Sequence, residues 1–419
     1  MKILVANLGS TSLKWRLFEF ADGCERLLHR GGLERVTDYA AAIDTCLNQL
    51  RGAGHVRSDQ ELAGVGFKTV VARGVTGCVR ITDTVLEAME ALNCLAPAHN
   101  PAYVAGIRLF ARRLPTVPLV ALFETAFYQW APQAAMQYAV PERWRAAGIR
   151  RWGFHGASHK YIAERSAELL GRPDVAERVR RLYVDGGQTP VQGSRLRVIS
   201  CHLGGSSSIT PLENGIALGN SLGLSPQSGL PHNNRVGDLD SFAIPLVMRT
   251  LGLSLEEVER QLCRESGLLG LSGLSNDVRD LLTAADQGHE GARLALEVWV
   301  HATRHWIGAA LAQLGGAEAV VFTAGIGENQ PQLRAAICKG WEELGVELDP
   351  ERNATVRGVE GCISRSGSRI QVWVIPTNEE LVVAREVKRL LEQHSPIPGK
   401  SGLISALQQQ RSNIVQGDS

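Results

Sequence analysis

Three stretches of the chain run from an apolar, strand-like segment into small residues rich in hydrogen-bond donors, which is what a polyphosphate cradle needs. Residues 195–210 (RLRVISCHLGGSSSIT) are the richest, with Ser206, Ser207 and Ser208 following two glycines. Residues 2–14 (KILVANLGSTSLK) repeat the design and close on Lys14, and residues 319–329 (AVVFTAGIGEN) run into a Gly-Ile-Gly turn followed by Glu328 and Asn329. Glycine lets the backbone approach an anion without Cβ interference, and the N–H groups and hydroxyls can then point at it. Any one such stretch is more often an ordinary hairpin or βα turn. The first two lie about one domain length apart, which fits two related halves that each donate a loop to a shared cleft.

Other residues with chemical potential sit between these loops. Lys68 lies inside the apolar run 64–71 (GVGFKTVV), either as a snorkelling surface lysine or as a charge aimed into a cleft. Pro97 and Pro101 predict an extended loop that presents His99 and Asn100 on irregular backbone, in a functional role or simply in solvent. Glu124, between Phe123 and Thr125 at the end of a short buried strand, needs a cationic or metal partner or a raised pKa. His155 and His159, in GIRRWGFHGASH (148–159), share a face if a helix starts near Gly156. A zinc site is disfavoured there, because HEXXH lacks its glutamate and no third ligand is evident; one histidine as a charge stabiliser is preferred. Arg235, in a Gly-, Pro-, Ser- and Asn-rich segment of more than twenty residues (219–240), offers a planar fork for a carboxylate or phosphate.

The elements that would position these residues follow from periodicity. Residues 15–19 alternate as a strand and Asp22-Gly23 supplies a hairpin turn, so the N-terminus reads as a β-meander. Helical patterns cover 39–50, 82–92, 161–170, 174–182, 241–251, 254–263, 291–314, 332–344 and 380–393, with strands at 64–71, 117–122 and 369–375 beside the apolar run that opens 195–210. Asn214-Gly215 predicts a type I′ hairpin, and Asp277 to Arg279 read as a helix start. From 394 onward the chain reads as a loose tail.

Composition narrows the function. The chain has 419 residues, 44% of them hydrophobic, enough for two or three cores. A formal charge of +1 gives no field to attract nucleic acid or an acidic membrane. The eight cysteines are scattered without a CxxC pair and read as reduced thiols in a cytoplasmic protein. No apolar run is long enough for a signal or a membrane span. A small-molecule partner is the expectation.

In order along the chain, NLGSTSLK, LAPAHNP, FETAF, IRRWGFHGASH, CHLGGSSS, ESGLLGL, FTAGIGEN and IPTNEEL resemble the motifs of the acetate kinase family, which includes propionate and butyrate kinases. The resemblance spans about residues 1–395. It implies an α/β fold of duplicated actin-like (ribonuclease H-like) domains around an interdomain ATP cleft, usually as a homodimer. The domains would be 1–152 and 153–379, with a terminal helix (380–395) returning to the first and a tail at 396–419. By position, Asn7 and Glu379 resemble the residues that hold Mg2+ (or Mn2+), and Lys14 a nucleotide-binding lysine. His202, Leu203, Gly204, Gly205 and Ser206, then Asp277, Val278 and Arg279, then Gly325, Ile326, Gly327, Glu328 and Asn329, resemble the ATP-contacting loops. Arg235 resembles the substrate and transition-state arginine, His155 the histidine that stabilises the transferring phosphoryl group, His99 a supporting histidine, and Glu124 stands where the family has an aspartate. The reaction implied is ATP + carboxylate to ADP + acyl phosphate, by direct transfer.

The departures fall mostly where the acyl side of the cleft is expected. Lys68 replaces a carboxylate-binding arginine, unless Arg73 serves, and lysine cannot make the bidentate contact. Glu124 is one methylene longer than aspartate. Gly205-Ser206 replace Asn-Gly, and His232-Asn233-Asn234 replace Met-Gly-Thr. The resemblance implies acetate as the leading acceptor, with propionate or butyrate next. A hydroxyl-directed kinase with Glu124 as base is disfavoured because the motifs are those of carboxylate kinases. A nucleotide binder without catalysis, suggested by Lys68 and Glu124, is opposed by the retention of Asn7, His155, Arg235 and Glu379. If Lys68 contacts substrate, Lys68→Arg should lower the Michaelis constant for carboxylate.

Overall fold

Two six-stranded mixed sheets frame the computed structural model, which describes residues 1–9, 11–97 and 99–393. The tail expected from 396 lies outside the described residues. The first sheet contains β1 (Lys2–Leu8), β2 (Ser12–Ala21), β3 (Cys24–Glu34), β4 (Leu62–Thr69), β5 (Cys78–Arg80) and β6 (Leu119–Phe123), in the order β3-β2-β1-β4-β6-β5. The second contains β7 (Arg197–Leu203), β8 (Ser207–Glu213), β9 (Ile216–Ala217), β10 (Ala319–Thr323), β11 (Gly361–Cys362) and β12 (Gln371–Val374), in the order β11-β12-β10-β7-β8-β9. Counted from its own first strand, each sheet has the same order. The directions agree too: β1 is antiparallel to β2 and parallel to β4, as β7 is to β8 and β10, and β6 is parallel to β4 as β12 is to β10. This is a duplicated α/β architecture.

The sequence explains the layering. Ile3, Leu4, Val5 and Ala6 are fully buried in succession, as are Val320, Val321 and Phe322, the unbroken apolar pattern of strands covered on both faces. The edge strand β3 is instead charged and largely exposed, which discourages further pairing. Asp22 and Gly23 (φ 53° and 72°) and Asn214 and Gly215 (φ 47° and 79°) form the expected hairpin turns with two positive φ angles.

Three local expectations change. The Pro97–Pro101 region is not an extended loop: Pro101 sits in the first turn of the helix Asn100–Arg113, where a missing N–H costs nothing. Asn100 is fully buried and donates from Nδ2 to Val71 O and Met89 O, while His99 occupies the N-cap position. GIGEN is not a turn either but a short helix, Ala324–Asn329, entered through Ala324 at φ 64°. The helix expected over 332–344 ends early, as Pro331–Cys338, with Gly340 at φ 75° beyond it.

The helix Glu379–Gln393 lies on the first sheet. A Cβ on Gly66 of β4 would come within 2.7 Å of Val383 and Val387, so glycine there lets the helix seat directly on the strand. Arg385 fastens it further by pairing with Glu25 and Glu164. Its first residue is thereby held beside the ends of β1 and β4.

Candidate active site

The carboxyl ends of β4 and β6 and the start of the terminal helix bring together one cation and two anions. Lys68 Nζ donates to Glu379 Oε2 at 2.7 Å and lies 3.1 Å from Glu124 Oε1. The three side chains are 20%, 14% and 7% exposed, respectively. Burial opposes the charge on Lys68, but Glu124 and Glu379 more than offset it and hold the ammonium well above the ordinary lysine value. Burial also pushes Glu379 up, yet Lys68 and His202 bring it net below the usual carboxylate range. Glu124 ends above that range, through burial, in spite of Lys68. Lys68 is therefore a shared counter-ion. Arg73 is exposed and donates to Ala91 O, so it does not serve in its place.

Three buried oxygens here accept no hydrogen bond among the described residues: Asn7 Oδ1, Glu124 Oε2 and Glu379 Oε1. Asn7 Nδ2 donates to Glu380 Oε1 at 2.9 Å, which fixes which end of the amide is bare. Unsatisfied buried oxygens are costly, and oxygen donors suit a hard divalent cation. No cluster of three His, Cys, Asp or Glu among the described residues could hold a metal by itself. The donor set therefore fits an ion that keeps water and substrate phosphate in its shell, as Mg2+ does.

A cavity of about 100 Å³ opens beside this triad, lined by Lys68, Val70, His99, Tyr103, Glu124, Phe154, His155, Ser206, Pro226 and Arg235. Six of these were expected from sequence. Arg235 donates from Nη1 to Pro226 O at 2.7 Å and has no ion-pair partner among the described residues. Burial lowers it to about 10, so it remains a cation at neutral pH with donors to offer an anion. Val70, Tyr103, Phe154 and Pro226 add apolar wall, and nothing in their spacing had marked them.

His155 sits at φ 57°, in the left-handed region, immediately before the helix Gly156–Leu169. The next position must be glycine: a Cβ at Gly156 would meet Glu124 O at 2.2 Å. The strained residue is thus held by the backbone next to Glu124. His155 stacks on His202, ring centroids 4.1 Å apart. Its Nδ1 is 2.8 Å from Ser208 Oγ, which is also 2.8 Å from His159 Nε2. Burial first, then the neighbouring His202 and His159 rings and the cations Lys68 and Arg235, hold His155 well below the ordinary histidine value, and burial brings His99 and His202 down to about 4. All are neutral at pH 7. His159 received no role from sequence, although the i, i+4 spacing of the two histidines was visible, and Ser208, expected to turn its hydroxyl toward an anion, instead lies between the two rings.

The expected nucleotide loops are placed differently from one another. Leu203 ends β7, Gly204 to Ser206 turn the β7–β8 hairpin, and Ser206 Oγ is buried beside the cavity without a partner among the described residues. His232 accepts from Ser207 N at 3.0 Å and Asn233 N donates to Gly205 O, so that substituted segment braces the hairpin instead of lining the acyl side. Asp277 caps the helix Val278–Asp286 and pairs with Arg279, which is 78% exposed. Gly325, Ile326 and Gly327 lie in the short helix, and Glu328 Oε1 accepts from Ala324 N and Thr377 N. Glu328 thus ties that helix to the Thr377 segment, and Asn329 Nδ2 bonds Gly325 O. Lys14 is opposite Asn7 across the β1–β2 hairpin, but its ammonium is 61% exposed and pairs with Glu34, away from the cavity.

The family model described as the Acetokinase family matches residues 29–385. The chain is 41% identical to an acetate kinase of Geobacillus kaustophilus and 39% identical to one of Bacillus subtilis, each match covering 93% of this chain and 99% of the relative. Among solved structures, an acetate kinase of Porphyromonas gingivalis superposes with a TM-score of 0.79 at 32% identity, and a propionate kinase of Francisella tularensis with 0.79 at 30%. Both cover 93% of this chain and 99% of the other.

Proposed function

Because the chain belongs to the acetokinase family, we propose that it is an acetate kinase, forming acetyl phosphate and ADP reversibly from acetate and ATP. The observation that carries this reading is the cavity itself, where the buried guanidinium of Arg235 faces apolar wall beside His155. A short carboxylate fits that combination, with its charge on Arg235 and its alkyl end against Val70, Phe154 and Pro226.

A carboxylate is already ionised at neutral pH, so no group need remove a proton. One acyl oxygen attacks the γ-phosphorus as the bond to the β,γ-bridging oxygen breaks, and that oxygen leaves with the electron pair on ADP. The obstacle is repulsion between anions. Arg235 neutralises the carboxylate and the transferring group, and His155 offers a neutral N–H to a phosphoryl oxygen. The β7–β8 hairpin turn and the short helix at 324–329 hold the nucleotide. Asn7 and Glu379 would hold Mg2+, which supplies Lewis-acid neutralisation of the phosphates when bound. Lys68 offsets the negative charge of Glu124 and Glu379 beside the cavity.

The test is hydroxylamine-trapped acyl phosphate from purified protein with MgATP and acetate, propionate or butyrate in parallel. Acetate should give the highest kcat/KM. A preference for propionate would move the reading toward the Francisella tularensis relative, and no product with any acid would end it.

We also propose that the enzyme is a homodimer. The helix Ala243–Leu251 buries none of its residues, and Phe242, Leu246 and Leu251 are 80%, 59% and 67% exposed. Leu246→Glu should turn a dimer into a monomer in sedimentation velocity; an unchanged dimer would exclude this face. A cytoplasmic location agrees with eight free cysteines, and no helix among the described residues is long and apolar enough to cross a membrane.

A further inference from the structure

Four side chains behind the cavity form one unbranched hydrogen-bond chain. Ser200 Oγ is 2.7 Å from His159 Nδ1, His159 Nε2 is 2.8 Å from Ser208 Oγ, and Ser208 Oγ is 2.8 Å from His155 Nδ1. Ser200, His159 and Ser208 are fully buried. His155 lines the cavity, and its Nε2 has no partner among the described residues.

A neutral imidazole donates from one nitrogen and accepts at the other, and each hydroxyl has one proton. Were Ser208 to accept from both rings, its own buried proton would have no acceptor among the described residues, so the chain runs in one of two directions. If His155 donated from Nδ1 to Ser208, the order would end with His159 Nδ1–H donating to Ser200. The Ser200 proton would then be buried with nowhere to go, since Ser200 Oγ has no other partner among the described residues. In the opposite direction every proton is used. Ser200 donates to His159 Nδ1, His159 Nε2–H donates to Ser208, and Ser208 donates to His155 Nδ1. Buried polar groups are nearly always satisfied, so the second direction is selected.

We propose that His159, Ser208 and Ser200 are positioning residues that lock His155 in its Nε2–H tautomer, so that a neutral histidine presents a hydrogen-bond donor to the transferring phosphoryl group. The opposite tautomer would present a lone pair to an anion. A parallel chain supports the design: Thr377 Oγ1 donates to Ser158 Oγ at 2.9 Å, and Ser158 Oγ lies 2.8 Å from His202 Nδ1. Ser158 thus has its own proton for that nitrogen, and the stacked His202 ring takes the same tautomer. Burial keeps His155 and His159 neutral, which the chain requires.

The assignment to phosphoryl transfer rests on the acetate kinase reading; the tautomer does not. Nitrogen-15 NMR of histidine-labelled, ligand-free protein at pH 7, with His155 assigned from a His155→Asn variant, should show Nε2 protonated and Nδ1 bare. Protonation at Nδ1, alone or with Nε2, would overturn the proposal. Ser208→Ala should give mixed tautomers at His155 and about a tenfold loss in kcat, less than the about 10²–10³-fold expected for losing a donor outright. The Michaelis constants should stay within about twofold of wild type, and Ser208→Thr, which keeps the hydroxyl, should restore rate and tautomer. A folded Ser208→Ala with unchanged tautomer or unchanged kcat would refute the positioning role. If that variant does not fold, the wild-type spectrum decides. Absence of acyl phosphate formation by wild type, with the Nε2–H spectrum intact, would sink the kinase reading alone.

Discussion

The two sheets share strand order and direction yet contribute opposite chemistry to the cleft. The first half offers formal charge: Lys68 at the end of β4, Glu124 just past β6, and Glu379 on the helix seated on that sheet. The second offers mainly neutral donors and acceptors: His202 on β7, Ser208 opposite it on β8, and the turn residues 204–206. One architecture thus carries an ionic site on one side and a proton-ordered site on the other. A duplicated frame fixes where strand ends meet, and the side chains at those ends decide what the meeting does.

The largest effect that would test this contrast is on the ionic side. Lys68→Met leaves two largely buried carboxylates without their counter-ion and should destabilise the metal-free protein by about 3–5 kcal/mol. Urea unfolding would measure it, and a loss below 1 kcal/mol would mean that the triad is not a unit.

Arg235→Ala comes next. It should lower kcat by about 10²–10³-fold in the hydroxamate assay while MgATP affinity by calorimetry changes little. Equal losses in both would place Arg235 at the nucleotide instead.

The neutral side should show itself through pH. His202 titrates near 4 when folded and near 6.5 when unfolded, so between those values the unfolded chain binds more protons. Stability is therefore complete above about pH 6.5 and falls as pH drops toward 4, by about 1.4 kcal/mol per unit for each such histidine. Urea midpoints at pH 7 and pH 5 would read this, and equal midpoints would contradict burial of neutral imidazoles.

Smallest of all is Lys68→Arg. The ammonium already engages Glu379 and Glu124, so the expectation that a restored fork would improve carboxylate binding gives way. The Michaelis constant for acetate should stay within about twofold. A clear decrease would show that this position reaches the substrate after all.

Much of this was legible in the sequence because it is local. Apolar runs, Asp-Gly and Asn-Gly turns and the long helix Glu290–Leu314 appear close to where pattern placed them. Lys68, His99, Glu124, His155, Ser206 and Arg235 do line one cavity. What pattern missed depends on partners distant in sequence. Lys68 could not be told from a surface lysine without Glu379, 311 positions away. Lys14 carries the right type in the right motif, but Glu34 across the β2–β3 ladder claims it. Glu328 looked like a loop acid because nothing local showed that it bridges Ala324 and Thr377. Pro101 misled for another reason: the same ring that breaks a helix interior begins one comfortably.

The seating of Glu379–Gln393 on Gly66 has a consequence for biogenesis. Asn7 and its partner Glu380 are 373 positions apart, so the first sheet is synthesised long before the helix that completes its ionic site. Until that helix arrives, Lys68 has Glu124 but not Glu379, and the groove on β4 presents bare glycine backbone. A nascent chain therefore lacks Glu379 and Glu380 for nearly the whole of its translation. Loss of the helix Glu379–Gln393 through premature termination would remove a partner of Lys68 together with the cover of an apolar sheet, yielding an adhesive product.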